Sequence, residues 1–273
     1  MAEACYRHPD RETGVSCSNC GRPICPECMT PTPVGMRCPE CASEKTRVTR
    51  GAVGPGTYDT PATYVLIALN AAAFLAQIAG GGGGISGGGS PLIADFGLQG
   101  LAVADGQWYR LLTGGFLHAS LLHIGFNMFA LYILGRLLEP AIGTPRFVAI
   151  YFASLFAGSL GALLLTDPFT VTVGASGAVF GLFGAAFVIA RGRGTDTIAS
   201  ELGFILLINL ALTFAIPRIS VGGHLGGLAG GVACALFIVA GERGAFGPRR
   251  LPLELLAIAA VGFFSIASAI AVA

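Results

Sequence analysis

Ser176 stands among small residues in the stretch TVTVGASGAVFG (170–181), inside a chain that is mostly apolar. A serine hydroxyl becomes a nucleophile only when a neighbouring base takes its proton. Histidine, which titrates near neutrality, is the usual base, and His118, His123 and His224 all fall in the apolar part of the chain. The tetrahedral intermediate of acyl transfer also needs preformed donors for its oxyanion. His123 and Asn127 are four residues apart, so a helix puts them on one face, and both can donate. The backbone N–H of Ser176, at a helix N-terminus, adds a third donor. No acid lies near these residues within the apolar runs; Asp167, in an outer loop, could be a third member but reads rather as a solvated loop acid. The chemistry expected is therefore a Ser–His dyad rather than a triad.

The elements that must bring these residues together are membrane helices. The chain of 273 residues is 53% hydrophobic and only 11% charged, where a soluble domain carries about 25% charged residues. Apolar runs long enough to cross about 30 Å of hydrocarbon occur at 61–79, 116–138, 146–166, 172–190, 199–216, 220–240 and 252–272. The polar, cysteine-rich start predicts no cleavable signal peptide. With the N-terminus inside, Lys45, Arg47, Arg50, Arg136, Arg146, Arg191, Arg193, Arg243, Arg249 and Arg250 flank the inner side. Only Arg110 and Arg218 lie outside, so the positive-inside rule places the N-terminus in the cytosol and the C-terminus outside.

In that topology spans two, four and six all run inward, and each carries its polar residues near its start: His123 and Asn127 with His118 at the mouth, then Ser176, then His224. At 1.5 Å per residue they lie roughly 6–12 Å below the outer surface. Singly, each has a structural reading, as a packing serine, an interhelical amide, a hydrogen-bonded histidine or an interfacial one. At one depth on three helices they read as the lining of a polar cavity. His224-x2-Gly227-x3-Gly231 and the set Gly177, Gly181, Gly184 form small-residue strips that let backbones approach. Phe180, four residues after Ser176, shares its face and could support an imidazole ring. Cys234 reads as a small apolar packing residue.

Seven of the eight cysteines precede residue 42, and with His8 they make four pairs: Cys5/His8, Cys17/Cys20, Cys25/Cys28 and Cys38/Cys41. Each pair has the spacing of a zinc knuckle, and eight ligands make two tetrahedral zinc sites. Disulfides would require an oxidising compartment, which the cytosolic topology argues against. Spacing leaves open whether the pairs combine sequentially or alternately. The arrangement resembles B-box-type zinc fingers, which implies that Cys5, His8, Cys25 and Cys28 hold one ion and Cys17, Cys20, Cys38 and Cys41 the other. The expected organisation is a zinc-binding domain over 1–42, a linker over 43–60, a six-helix core over 61–241 and a seventh helix within 242–273. The zinc domain reads either as a docking module for a cytosolic partner or as a structural appendage.

The words Gly174-Ala175-Ser176-Gly177, His224-x2-Gly227-x3-Gly231, His118-x4-His123-x3-Asn127, Trp108-Tyr109-Arg110 and Glu139-x3-Gly143 resemble the rhomboid family of intramembrane serine proteases over about 61–241. The resemblance implies an all-α membrane fold, with Ser176 as nucleophile, His224 as general base, and His123, Asn127 and the Ser176 amide as the oxyanion hole. It implies that Trp108, Arg110, Glu139, Gly174, Gly227 and Gly231 belong to the structural core. Trp108 and Arg110 would lie in an outer loop partly within the membrane, and Glu139 would stabilise the inner helix ends. The implied substrates are transmembrane helices of other proteins in the lipid bilayer, cut near the outer leaflet, with no cofactor needed for catalysis. Three features depart from the family pattern: the glycine tract at 80–90, Phe180 where many members carry tyrosine, and the seventh span. A non-catalytic rhomboid-like protein that binds membrane clients would ordinarily lack Ser176 or His224, and a transporter would place its polar sites near the midplane. No nucleic-acid partner is expected. The setting expected is a multi-pass protein of a bacterial cell membrane.

Overall fold

A computed structural model describes residues 3–32, 35–43, 59–81, 89–217 and 219–273, in two compact units, Met1–Thr57 and Tyr58–Ala273. Most of the expected linker 43–60 and of the glycine tract 80–90, together with Arg218, lies outside the described residues. In the first unit β1 (Glu3–Ala4) pairs antiparallel with β2 (Glu12–Thr13), and β3 (Thr30–Thr32) with β4 (Gly35–Arg37). The short helix α1 (Pro39–Ser43) follows. Its buried cluster consists of Ile24 and the side chains of Cys5, Cys17, Cys25, Cys28, Cys38 and Cys41. So few carbon atoms bury too little area to hold two- and three-residue strands together by apolar packing alone.

The second unit is helical. The long helices are α2 (Pro61–Ala79), α6 (Leu121–Ile142), α7 (Thr144–Leu165), α8 (Ser176–Gly192), α9 (Asp196–Ala215), α10 (Val221–Glu242) and α11 (Arg250–Val272). Between α2 and α6 lie the short helices α3 (Pro91–Phe96), α4 (Gly100–Ala104) and α5 (Arg110–Thr113). Among the described residues six helices are long and apolar enough to cross a membrane, while α8 has 17 residues, roughly 26 Å at 1.5 Å per residue. The chain is thus a multi-pass integral membrane protein. Two helix starts differ from the hydropathy reading by a full turn or more. α6 begins at Leu121, not 116, because Ser120 caps it by accepting from the His123 N–H at 3.2 Å. α8 begins at Ser176, not 172, because Thr172 pairs with Leu98 through two backbone bonds of 2.7 and 3.0 Å and Gly174 turns the chain at φ +131°. An apolar extended segment is indistinguishable from helix by hydropathy.

α7, α8 and α10 pack at the centre, around buried Ile150, Tyr151, Leu182 and Ile238. They approach backbone to backbone. A Cβ on Gly227 or Gly231 would run into the carbonyl oxygens of Gly177 and Gly181, so the small-residue strips are contact surfaces between α8 and α10. α11 packs on α7 and α10, whereas α9 rests mainly on α8. α11 is held at its start by Glu254, fully buried, which takes Arg146 at 2.5 Å and Arg250 at 2.8 Å. Glu242 in turn accepts Arg193 at 2.6 Å.

Glu139 is buried at 1% exposure and accepts from the Ala62 N–H (3.0 Å), the Thr63 N–H (2.9 Å), the Thr63 hydroxyl (2.7 Å) and the Thr144 hydroxyl (2.8 Å). One carboxylate therefore caps the positive N-terminus of α2 and ties α2, α6 and α7 together. Glu139→Ala strands these donors, and the expected loss is about 3 kcal/mol of stability, measurable as a lower midpoint of thermal unfolding in detergent.

Candidate active site

The starts of α6, α8 and α10 carry His123, Ser176 and His224. Ser176 is the first residue of α8, not one turn in as the hydropathy runs suggested. At this position its N–H has no intrahelical acceptor and the helix dipole points its positive end outward. The preceding turn needs glycine twice over. Gly174 has φ +131°, and a Cβ there would lie 2.8 Å from His123 Nε2 and 3.6 Å from the position of Ser176 Oγ. The His123 imidazole thus lies against the backbone that presents the serine.

His123 Nδ1 accepts from the Ala119 N–H at 3.4 Å. In the neutral ring this leaves the proton on Nε2, the nitrogen nearest the Gly174 turn. Asn127 is buried and donates one Nδ2–H to its own helix at His123 O, 2.9 Å away, which leaves the second for another acceptor. His118, read from sequence as interfacial, is fully buried and packs edge-on to His123 with ring centroids 5.0 Å apart. Its main chain is clamped by Gln77 of α2, which donates to His118 O and accepts from His118 N, both at 3.0 Å.

His224 lies one turn into α10 and is stacked on Phe180, with centroids 4.1 Å apart and planes 20° from parallel. Ser176, one turn before Phe180, shares that face of α8, and Gly177 and Gly227 in backbone contact bring the two helices together beside it. Phe180 supplies the ring support expected of it without a hydroxyl. The second imidazole nitrogen, Nδ1, lies 2.7 Å from the Thr213 hydroxyl of α9, a partner that nothing in the spacing of the sequence indicated. Asp167 instead accepts from the Phe169 N–H at 2.9 Å within its own turn.

A cleft beside Ser176, lined in part by Gly115, Leu155, Ser159, Val173 and Ser220, has about 30 Å³ open to water-sized molecules, room for one or two waters. Arg110, buried, ties the end of α3 to the start of α5 through Ala94 O (2.7 Å), Gly97 O (2.8 Å) and Gln107 Oε1 (2.8 Å). Trp108, expected in the outer loop, is 54% exposed, with neighbouring Tyr109 at 48%. Such amphipathic rings sit where a membrane meets water, not inside the protein.

In the other unit, two clusters could hold metal ions: Cys5, His8, Cys25 and Cys28, and Cys17, Cys20, Cys38 and Cys41. Within each, the ligand atoms lie within 4.8 Å of one another. Sulfurs around a tetrahedral zinc stand about 3.8 Å apart from a 2.3 Å bond length, and Cys20 and Cys38 Sγ are at 3.8 Å. Backbone N–H groups aim at these thiols, as from Cys38 to Cys17 Sγ at 3.3 Å, an arrangement that suits thiolates.

Residues 105–241, half of the chain, match the family described as the Rhomboid domain. The chain is 37% identical over 227 residues to Rhomboid protease GluP of Bacillus subtilis, covering 81% of this chain and 43% of that protein. It is 34% identical over 157 residues to RHOMBOID-like protein 5 of Arabidopsis thaliana, 55% of this chain and 50% of that one. It is 35% identical over 133 residues to Rhomboid-like protease 1 of Toxoplasma gondii, 46% of this chain and 45% of that one. The chain spans half or less of the length of each of these relatives.

Proposed function

This chain belongs to the rhomboid family, and on that footing we propose that it is an intramembrane serine endopeptidase working through Ser176 and His224. The observation that carries the reading is the placement of Ser176 at a helix start on the same face as Phe180, on which the His224 ring is stacked. Ser176 Oγ attacks the scissile carbonyl while His224 Nε2 takes its proton, then returns it to the leaving amine. The oxyanion is met by His123 Nε2–H, the free Nδ2–H of Asn127 and the Ser176 N–H. Water from the cleft then hydrolyses the acyl-enzyme.

The substrates are transmembrane helices of other proteins. A helical peptide bond is wrapped in its own hydrogen bonds, so it must unwind first, which glycine or proline near the outer surface favours. The protein sits in a bacterial cell membrane with its N-terminus in the cytosol, as the arginine distribution supports. The N-terminal unit holds two zinc ions through the two clusters, which supply folding energy and not catalysis, and it presents a surface to a cytosolic partner. A reconstituted membrane-anchored reporter with a glycine pair near the outer surface of its helix tests the activity. The purified protein should cut it within the outer third of the membrane. A reporter left whole by the wild-type protein, or cut equally by Ser176→Ala, contradicts the assignment.

A further inference from the structure

The His224 imidazole has two nitrogens, and only one can serve as base. We infer that Thr213 is a positioning residue that holds His224 as the Nδ1–H tautomer and so leaves Nε2 free to take the Ser176 proton. The inference rests on the proposed dyad.

Thr213 lies on α9 and is 2% exposed. Its Oγ1 is 2.8 Å from Asn209 O, one turn earlier in its own helix, and 2.7 Å from His224 Nδ1. A helical threonine reaches the i−4 carbonyl in one of its two favoured rotamers. A hydroxyl has one proton and two lone pairs. With that proton on Asn209 O, Thr213 can only accept from Nδ1–H, and the chain His224 → Thr213 → Asn209 O makes two hydrogen bonds in a buried site. The reverse arrangement, with the hydroxyl donating to Nδ1, makes one, and it protonates Nε2 and disables the base. The larger number of satisfied groups decides for the first.

The opposite tautomer is set at His123. There the Ala119 N–H engages Nδ1 as acceptor, which leaves Nε2 the donor. Two backbone-anchored contacts therefore give the two histidines complementary roles. When His224 takes the Ser176 proton at Nε2, the ring becomes a cation that still donates Nδ1–H to Thr213. It returns to the neutral Nδ1–H form when the leaving amine collects the Nε2 proton. Thr213 contributes orientation without a negative charge, which distinguishes it from an acid in a triad.

The test is nitrogen-15 NMR of protein labelled only at histidine, with His224 assigned through His224→Asn, together with the rate of Ser176 modification by a fluorophosphonate across pH. In the wild-type protein at high pH, where the ring is neutral, His224 should show protonated Nδ1 and unprotonated Nε2. Thr213→Val should give a mixture of tautomers and slow modification about ten- to a hundredfold, the range found when the partner that orients a metal-bound imidazole is removed. Thr213→Ser should restore both the tautomer and, to within about threefold, the rate. A wild-type His224 protonated at Nε2, or a Thr213→Val protein with unchanged tautomer and rate, overturns the inference. The wild-type spectrum needs no variant to fold. Undiminished labelling of Ser176→Ala would instead overturn the dyad, while the spectrum would still report on Thr213.

Discussion

Ser176→Ala and His224→Ala are each expected to lower reporter cleavage by about 10⁴-fold or more, and the double variant should be no slower than the worse of the two. The reason is that a nucleophile and its base act as one unit, so removing either removes the step both perform. Any residual rate is expected to come from what remains, the proposed oxyanion donors His123, Asn127 and the α8 N-terminus. Neither variant should unfold the protein: Ser176 loses one oxygen at the edge of a cleft. His224→Ala leaves the Gly177–Gly227 backbone contact in place. The measurements are initial cleavage rates in proteoliposomes alongside unfolding midpoints. Costs that add as independent free energies would mean that the two residues do not share a step.

Metal removal should have the largest effect on stability. A structural zinc contributes about 10–16 kcal/mol of apparent binding energy at neutral pH, and the N-terminal unit has little apolar core besides Ile24 to replace it. Purified protein should contain two zinc ions per chain, and a strong chelator should unfold this unit, seen as loss of protection from proteolysis within residues 3–43. The pairing has its own test. Cys5 and Cys25 lie in one cluster, so Cys5→Ser with Cys25→Ser should cost one ion. Cys5→Ser with Cys38→Ser should cost both. Sequential pairing would exchange Cys25 for Cys17 in the first experiment and is excluded if the Cys5, Cys25 double variant retains one ion.

The parts of the fold and site that were legible in the sequence are those carried by local periodicity. Glycines at four-residue spacing on α8 and α10 read directly as surfaces of close approach, and they make those contacts. Phe180 was placed beside an imidazole because four residues is one helical turn, and it stacks on His224. The rest depends on contacts between distant segments. Thr213 looks like any threonine in an apolar helix, and only the docking of α9 beside α10 puts its hydroxyl on Nδ1. Gln77 is an ordinary polar residue near the end of α2 until it clamps His118. That clamp, with the capping of α6 by Ser120, explains why the second helix starts five residues later than its apolar run. The extended pairing of Thr172 with Leu98 likewise shortened α8 and moved Ser176 to its first position. Knuckle spacing identified eight metal-type residues but not their partners, because two residues between ligands constrains each pair and not the pairing of pairs.

The proposed activity requires Ser176 to be a nucleophile activated by His224. Its most direct test is a fluorophosphonate added to the detergent-solubilised protein, followed by digestion and mass spectrometry of the adduct. One phosphonyl group per chain is expected on the peptide containing Ser176, absent in Ser176→Ala and strongly reduced in His224→Ala. An adduct on another serine, or equal labelling of Ser176 in the His224→Ala protein, would contradict it.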